Sequence, residues 1–211
     1  MAAVETTNAV AKPWRWPDTK PDVAPDPTSL LAATTAIILQ SALSSSTRCV
    51  VELGSFLGAS TRLILTHAPN AIVYAIDHWR GPASMHRPHM AAHRHRIPTL
   101  FEAFTVNCWP WRERLRPVRL DTVAGVEAVA EYIRATGEPS PDVVFIDADH
   151  EPISVWKDMA AAAKAWPAAT LVGDDYESTA NHGGLAKAVH RFARKRKRKV
   201  TTFGNGWRME P

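Results

Sequence analysis

Residues 49–61 read CVVELGSFLGAST, and this stretch decides the fold class. Its first part, Cys49–Leu53, is a largely apolar run of the kind found in strands that are buried on both faces. Gly54 and Gly58 follow, and glycines let a chain turn tightly and approach a ligand closely. Residues 59–66 then have the pattern of a helix, whose first N–H groups would point at the same place and suit a carboxylate or phosphate.

The glycine spacing narrows the class of ligand. It is Gly-x-x-x-Gly, whereas dinucleotide-binding proteins carry Gly-x-Gly-x-x-Gly after the first strand. The spacing therefore argues against a nicotinamide-dependent oxidoreductase. A loop that only needs tight packing remains the alternative interpretation of the same glycines.

Strands and helices continue to alternate after this stretch. Further strands are predicted at 71–76, 118–120, 143–146 and 170–172, and helices at 30–43, 97–109, 123–135, 152–166 and 185–192. Residues 199–209 predict a hairpin that turns at Gly204, Asn205 and Gly206. This order predicts an α/β fold: a doubly wound, mainly parallel sheet covered by helices on both faces, with a C-terminal antiparallel hairpin.

The N-terminal residues differ from the rest. Residues 1–27 are rich in proline and lack the periodicity of a packed element, so we predict a flexible segment there and a domain over 28–211. The first helix would be capped by Thr28 or Ser29. Trp14 and Trp16 suggest that the segment docks either on the domain or on a ligand.

In a parallel sheet the residues that follow each strand meet at one edge, near the switch in strand order. Asp77 and His78 follow the second strand, where an acidic residue can accept both ribose hydroxyls. A turn or cap aspartate is the alternative, and Trp79 would cover an adenine ring or belong to the core. Asp121 and Thr122 follow the third strand, where they would face an exocyclic amine or begin the next helix.

The fourth and fifth strands end in carboxylates. Asp147 follows the fourth strand, and Asp174 and Asp175 follow the fifth. Neighbouring strands lie about 4.8 Å apart, so these groups would repel one another unless a hard cation such as Mg²⁺ lay between them. The alternative is that Asp175, or Asp149 in the loop after the fourth strand, only caps a helix or loop. His150 lies at the mouth of this predicted site, as a general base or as a surface histidine.

Composition limits the remaining possibilities. The chain has 211 residues, 45% of them hydrophobic, and a net charge of +4, which suits one soluble domain. Two cysteines and no signal peptide or long apolar run favour a cytoplasmic location without a membrane partner.

Residues 194–199 are all basic. This run forms a solvated helix end, a nucleic-acid binding site or a nuclear import signal.

These residues resemble class I S-adenosylmethionine-dependent methyltransferases. Residues 50–77 are similar to the first cofactor motif and the acidic end of the second strand of that class. Residues 142–176, above all VFIDADH at 144–150 and GDDY at 173–176, are similar to the metal-dependent O-methyltransferases. These include the catechol, macrocin and mycinamicin O-methyltransferases and the cephalosporin hydroxylase-type proteins.

The resemblance implies a seven-stranded Rossmann-like fold, S-adenosylmethionine as cofactor and Mg²⁺ or another divalent cation as metal. The implied cofactor-binding residues are Glu52, Gly54, Ser55, Gly58, Asp77, His78, Asp121, Thr122 and Asp147. The implied metal ligands are Asp147, Asp174 and Asp175. The implied catalytic residues are His150, in place of a lysine or histidine base, and Asp147.

The resemblance implies methyl transfer to a hydroxyl of a small molecule. The alternative is a metal-independent methyltransferase for RNA or protein that uses the basic run, and nucleic acid is the less favoured partner. A non-catalytic binding module would have lost the cofactor motif, which is present. Residues 81–98, rich in histidine, match no pattern of the class; we interpret them as a lid or acceptor loop. Homo-oligomerisation stays open.

Overall fold

The computed structural model describes residues 10–26, 31–81, 99–177 and 184–211. The predicted caps Thr28 and Ser29 and all of the predicted loop after Gly81 lie outside the described residues. The helices are α1 Ala33–Ser41, α2 Ala59–His67, α3 Leu100–Cys108, α4 Thr122–Thr136, α5 Pro152–Ala165 and α6 Gly184–Arg196. The strands are β1 Cys49–Leu53, β2 Ile72–Ile76, β3 Leu115–Val118, β4 Val143–Ile146, β5 Thr170–Gly173, β6 Val200–Phe203 and β7 Gly206–Met209.

The seven strands form one sheet in the order β3-β2-β1-β4-β5-β7-β6. The first five are parallel, and β7 runs antiparallel to both β5 and β6. The predicted α/β class, mainly parallel sheet and terminal hairpin are therefore confirmed. Strand order switches between β1 and β4, which places the loops after these two strands side by side.

The central strands β1, β2, β4 and β5 are buried on both faces because helices cover both sides, whereas the edge strand β6 is largely exposed. Val51, Leu53 and Val144 belong to a core that packs under α4, α5 and α6. Val50 and Phe145, which alternate with them, belong to the core under α1, α2 and α3. The two cores explain why the strands are apolar at nearly every position rather than at every second one.

The third strand was predicted wrongly. We expected residues 118–120, but β3 spans Leu115–Val118 and includes Pro117. Proline has no N–H to donate to a neighbouring strand, so it argues against a strand in sequence analysis. β3 is an edge strand, where the missing N–H can be accommodated. As a result Asp121 lies three residues beyond the strand and not directly at its end.

Trp14 and Trp16 pack on the domain itself. The Trp14 ring makes edge contacts with Tyr74 and Tyr132, at centroid distances of 5.7 and 4.7 Å. Trp16 Nε1 donates a hydrogen bond to the Leu115 carbonyl at 2.8 Å. Of the two docking partners considered, a ligand and the domain, the structure shows contacts with the domain. The division into a flexible segment and a domain at residue 27 stays a prediction.

No helix among the described residues is both long and apolar enough to cross a membrane.

Candidate functional site

The predicted site residues converge because the main chain holds their loops together. Asp147 N donates to the Leu53 carbonyl at 2.8 Å, and Asp174 N donates to the Ile146 carbonyl at 3.4 Å. Gly54 is the residue that follows Leu53. The ends of β1, β4 and β5 are thus in register, and the glycine loop and the carboxylates share one edge of the sheet.

The two glycines of the loop are required by geometry. Gly54 has φ +88°, and a Cβ added there would lie 2.3 Å from the main-chain oxygen of Asp147. Gly58 has φ +84°, and its added Cβ would lie 2.6 Å from Cys108 Sγ. Gly58 is also the N-cap of α2, and no side chain caps the first N–H groups of that helix. The loop therefore lets a ligand approach the main chain closely and offers main-chain N–H donors, as a carboxylate ligand needs.

Glu52 lies fully buried beneath this loop. Its Oε2 accepts hydrogen bonds from Ser55 Oγ at 2.8 Å and from Thr61 Oγ1. Its Oε1 is buried without a hydrogen-bond partner among the described residues. Burial raises the pKa of Glu52 to about 7, and the hydrogen bonds from Thr61 and Ser55 oppose that rise.

Asp77 ties the glycine loop to the end of β2. Its Oδ2 accepts hydrogen bonds from the main-chain N–H groups of Ser55 at 3.0 Å and Phe56 at 2.9 Å. Its Oδ1 accepts one from Trp79 N at 2.7 Å. His78 lies beside it, with Nδ1 3.6 Å from Oδ1. Carboxylate oxygens can accept more than one hydrogen bond, so Asp77 can both shape the loop and receive a ligand hydroxyl.

Trp79 belongs to the core. It is 3% exposed, packs against Phe101 and Phe104, and donates through Nε1 to the Phe56 carbonyl at 2.9 Å. Of its two interpretations, core residue and adenine cover, the structure bears out the first.

Asp121 and Thr122 lie at the start of α4 and point in different directions. Asp121 occupies the N-cap position but makes no capping bond, and its Oδ1 accepts a hydrogen bond from Arg80 Nη2 at 2.7 Å. Thr122 Oγ1 donates to Asp158 Oδ1 at 2.6 Å, between α4 and α5. Asp121 is thus close to the end of β2, whereas the Thr122 hydroxyl is engaged by another helix.

Three ligand atoms of a metal-binding type lie together after β4 and β5. Asp147, His150 and Asp175 each offer one atom within 4.8 Å of the others. His150 Nδ1 contacts Asp175 Oδ2 directly. Asp174 lines the same pocket, but its Oδ1 accepts a hydrogen bond from Thr35 Oγ1 on α1.

The carboxylates of this pocket disfavour one another's charged forms. Burial raises the pKa of Asp147, and the carboxylates of Asp174 and Glu52 raise it further. Burial also raises the pKa of Asp174, which Thr35 and His150 oppose. A divalent cation would relieve this repulsion, and oxygen donors are those that Mg²⁺ prefers.

Sequence reasoning missed three polar residues that support the site. Thr35 and Asp158 lie inside helices, where nothing in the local pattern distinguishes them from ordinary helix positions. Asn107 Nδ2 donates to the Leu57 carbonyl at 2.8 Å, and its Oδ1 accepts from Asp26 N at 3.0 Å. Asn107 thereby links the N-terminal segment to the glycine loop, a contact that only the folded chain reveals.

The fold is a doubly wound α/β domain whose candidate site lies at the switch in strand order. A family model described as Methyltransferase domain matches residues 51–176. Since that match spans more than half of the chain, the protein belongs to this methyltransferase family. The resemblance to class I methyltransferases is thereby confirmed. A search of curated proteins finds no significant match.

Solved structures of O-methyltransferases share the fold at low sequence identity. The O-methyltransferase NovP matches with a TM-score of 0.59 at 14% identity, over 86% of this chain and 81% of NovP. A putative caffeoyl-CoA O-methyltransferase from Staphylococcus aureus matches with a TM-score of 0.58 at 12% identity, over 87% and 86% of the two chains. An O-methyltransferase from Bacillus cereus in complex with SAH matches with a TM-score of 0.50 at 18% identity, over 85% and 80%.

Proposed function

We propose that the protein is an S-adenosylmethionine-dependent, Mg²⁺-assisted O-methyltransferase that acts on a hydroxyl of a small molecule. One observation carries the proposal: the glycine loop after β1 touches the carboxylate cluster after β4, with Gly54 against the main chain of Asp147. A methyl donor in the loop and an acceptor oxygen at the cluster would be neighbours, as methyl transfer requires.

The loop has features that fit S-adenosylmethionine. The amides at the start of α2 would receive the cofactor carboxylate, and Glu52 Oε1, buried without a hydrogen-bond partner among the described residues, would be available as an acceptor next to the loop. Asp77 would hold the ribose. Structures with this fold include O-methyltransferases, one of them in complex with SAH, which supports both the cofactor and the reaction.

The carboxylate cluster has features that fit Mg²⁺. Asp147, Asp174 and Asp175 would hold the cation, which would supply Lewis-acid polarisation of the acceptor hydroxyl. Ile146, Val155 and Leu185 line the same pocket and would exclude water from it.

His150 is the general base of the proposed reaction. Its Nδ1 contacts Asp175 Oδ2, which holds the imidazole at the carboxylate cluster. A neutral imidazole at this position would take the proton of the acceptor hydroxyl. S-adenosylmethionine in the glycine loop would supply the methyl group: a bond from the acceptor oxygen to the methyl carbon would form as the bond from that carbon to sulfur breaks, leaving a neutral thioether.

Titration calorimetry with S-adenosylmethionine, first with Mg²⁺ and then with excess chelator, tests the cofactor assignment. We expect micromolar binding in both conditions because the cation serves the acceptor. Methyl transfer to a panel of hydroxylated small molecules should then require the cation. Absence of cofactor binding in both conditions would overturn the proposal.

Three variants test the metal assignment. Asp147→Asn and Asp175→Asn should each lower methyl transfer by ~100-fold or more, since several kcal/mol of charge stabilisation are lost. Glu151→Gln is the control, because this exposed carboxylate follows the same loop at the N-cap position of α5 and does not line the pocket. Activity that survives both Asp147→Asn and chelation would rule out the cation.

A further inference from the structure

Thr35 lies outside the segment that the family model matches, yet it contacts the proposed metal site. Its side chain is fully buried on α1, and its hydroxyl donates to Asp174 Oδ1. Asp174 is 8% exposed. A hydrogen bond between a buried hydroxyl and a buried carboxylate costs considerable free energy to break, because the remaining polar group is left buried without its partner.

Further contacts fix the same loop from the other side. Trp207 Nε1 donates to the Asp174 carbonyl at 3.2 Å, and the indole lies against Gly173, where an added Cβ would be 2.3 Å from the ring. Tyr176 N donates to the Asn205 carbonyl at 2.9 Å. The main chain around Asp174 is therefore fixed by β7 and by the turn before it.

With the main chain fixed, the Thr35 hydroxyl is the contact that sets the orientation of the Asp174 carboxylate. It commits Oδ1 to a hydrogen bond and leaves the second carboxylate oxygen for another partner. Such a hydrogen bond restricts the carboxylate before a cation binds, so less conformational entropy is lost on binding.

We propose that Thr35 is a positioning residue for the metal site, and that its hydroxyl makes Asp174 a ligand through one oxygen only. The proposal rests on the proposed function, since it needs a cation at Asp147, Asp174 and Asp175. It assigns to α1 a role in metal affinity, which a helix packed on the sheet would not otherwise have.

Binding of Mn²⁺ to the whole chain, measured by electron paramagnetic resonance in the absence of acceptor, tests this. Thr35→Val removes the hydroxyl and keeps the shape, and we expect Mn²⁺ binding to weaken by ~10-fold or more, as for other residues that orient metal ligands. Thr35→Ser keeps the hydroxyl and should bind Mn²⁺ like the original chain.

Thr105→Val is the control, because Thr105 is an equally buried threonine whose Oγ1 donates to the Glu102 carbonyl at 2.8 Å within α3. It should leave Mn²⁺ binding unchanged, and all three variants should keep the affinity for S-adenosylmethionine. If Thr35→Val does not fold, Thr35→Ala against Thr35→Ser makes the same comparison.

The outcomes separate the two proposals. Unchanged or tighter Mn²⁺ binding by Thr35→Val, with clear binding by the original chain, would overturn the role of Thr35 and leave the proposed function standing. Absence of Mn²⁺ binding by the original chain would overturn both the metal assignment and this inference.

Discussion

The Cα of Gly54 lies against the main-chain oxygen of Asp147, so closely that a methyl group at position 54 would stand 2.3 Å from it. The loop after β1 and the loop after β4 are thus in direct contact at the switch in strand order. The two loops constrain each other's main chain, so a substitution in either loop should disturb the ligands that both loops are proposed to bind.

Gly54→Ala should therefore damage function as well as stability. The added Cβ meets main-chain atoms that cannot rotate away, and φ +88° is unfavourable for alanine. We expect a loss of roughly 3 kcal/mol in the free energy of unfolding and loss of S-adenosylmethionine binding by calorimetry. Gly137→Ala is the matched control, since φ is +71° there and nothing lies within 4 Å of the added Cβ. It should lose only ~1 kcal/mol and keep the cofactor.

His150→Ala should lower kcat by ~100-fold or more if this side chain removes the acceptor proton. The affinity for S-adenosylmethionine should stay the same, because His150 lies at the carboxylate cluster and not at the glycine loop. His150→Lys should restore part of the rate, since an amine can also take the proton. An alanine variant with the original kcat would show that another group is the base.

Replacing Asp158 should change the pH dependence of stability. Burial raises the pKa of Asp158 from 3.8 to about 6, which the hydrogen bond from Thr122 opposes. A raised pKa means that the folded state holds the proton more tightly, so this stability is fully present below pH 4 and is lost as the pH rises through 6. Asp158→Asn should therefore gain stability relative to the original chain between pH 4 and 7, by up to ~3 kcal/mol.

Thermal melts at a series of pH values check this. The difference in Tm between Asp158→Asn and the original chain should grow with pH and level off above 7. A difference independent of pH would mean that Asp158 keeps an ordinary pKa in the folded protein.

Trp14→Ala should reduce stability without affecting the cofactor. The ring packs between Tyr74 and Tyr132, and the Arg116 guanidinium lies 4.3 Å from its centroid. Loss of this half-buried contact should lower the free energy of unfolding by about 2 kcal/mol, measured in urea. Weaker binding of S-adenosylmethionine by a fully folded variant would instead place Trp14 at the ligand.

The basic run should not matter for a small acceptor. Leu185 lines the pocket at the start of α6, whereas Arg194 and Lys197 lie near its far end, about 15 Å along the axis. Replacing all four residues 194–197 with glutamine should leave kcat/KM for a hydroxylated small molecule unchanged. A variant that loses activity on RNA, together with strong salt dependence of RNA binding, would favour the alternative function.

Sequence patterns predict this fold and the positions of the carboxylates for the same reason. A parallel sheet forces the residues after each strand to one edge, so Asp147 and Asp174 could be placed together from strand ends alone. Sequence patterns could not predict the contact between Thr35 and Asp174, because these two residues are 139 positions apart in the chain. Such a contact depends on how α1 packs, and a threonine inside a helix carries no local sign of it.

The docking of residues 10–26 has a consequence for solubility. Arg15 N donates to the Pro117 carbonyl at 3.4 Å, and Trp16 Nε1 donates to the Leu115 carbonyl, so both acceptors on β3 are occupied by the N-terminal segment. β3 ends the sheet on this side, and open strand edges are where chains add to one another and aggregate. Removing the segment would expose this edge, and the shortened chain should form oligomers through it even where its catalytic site is intact.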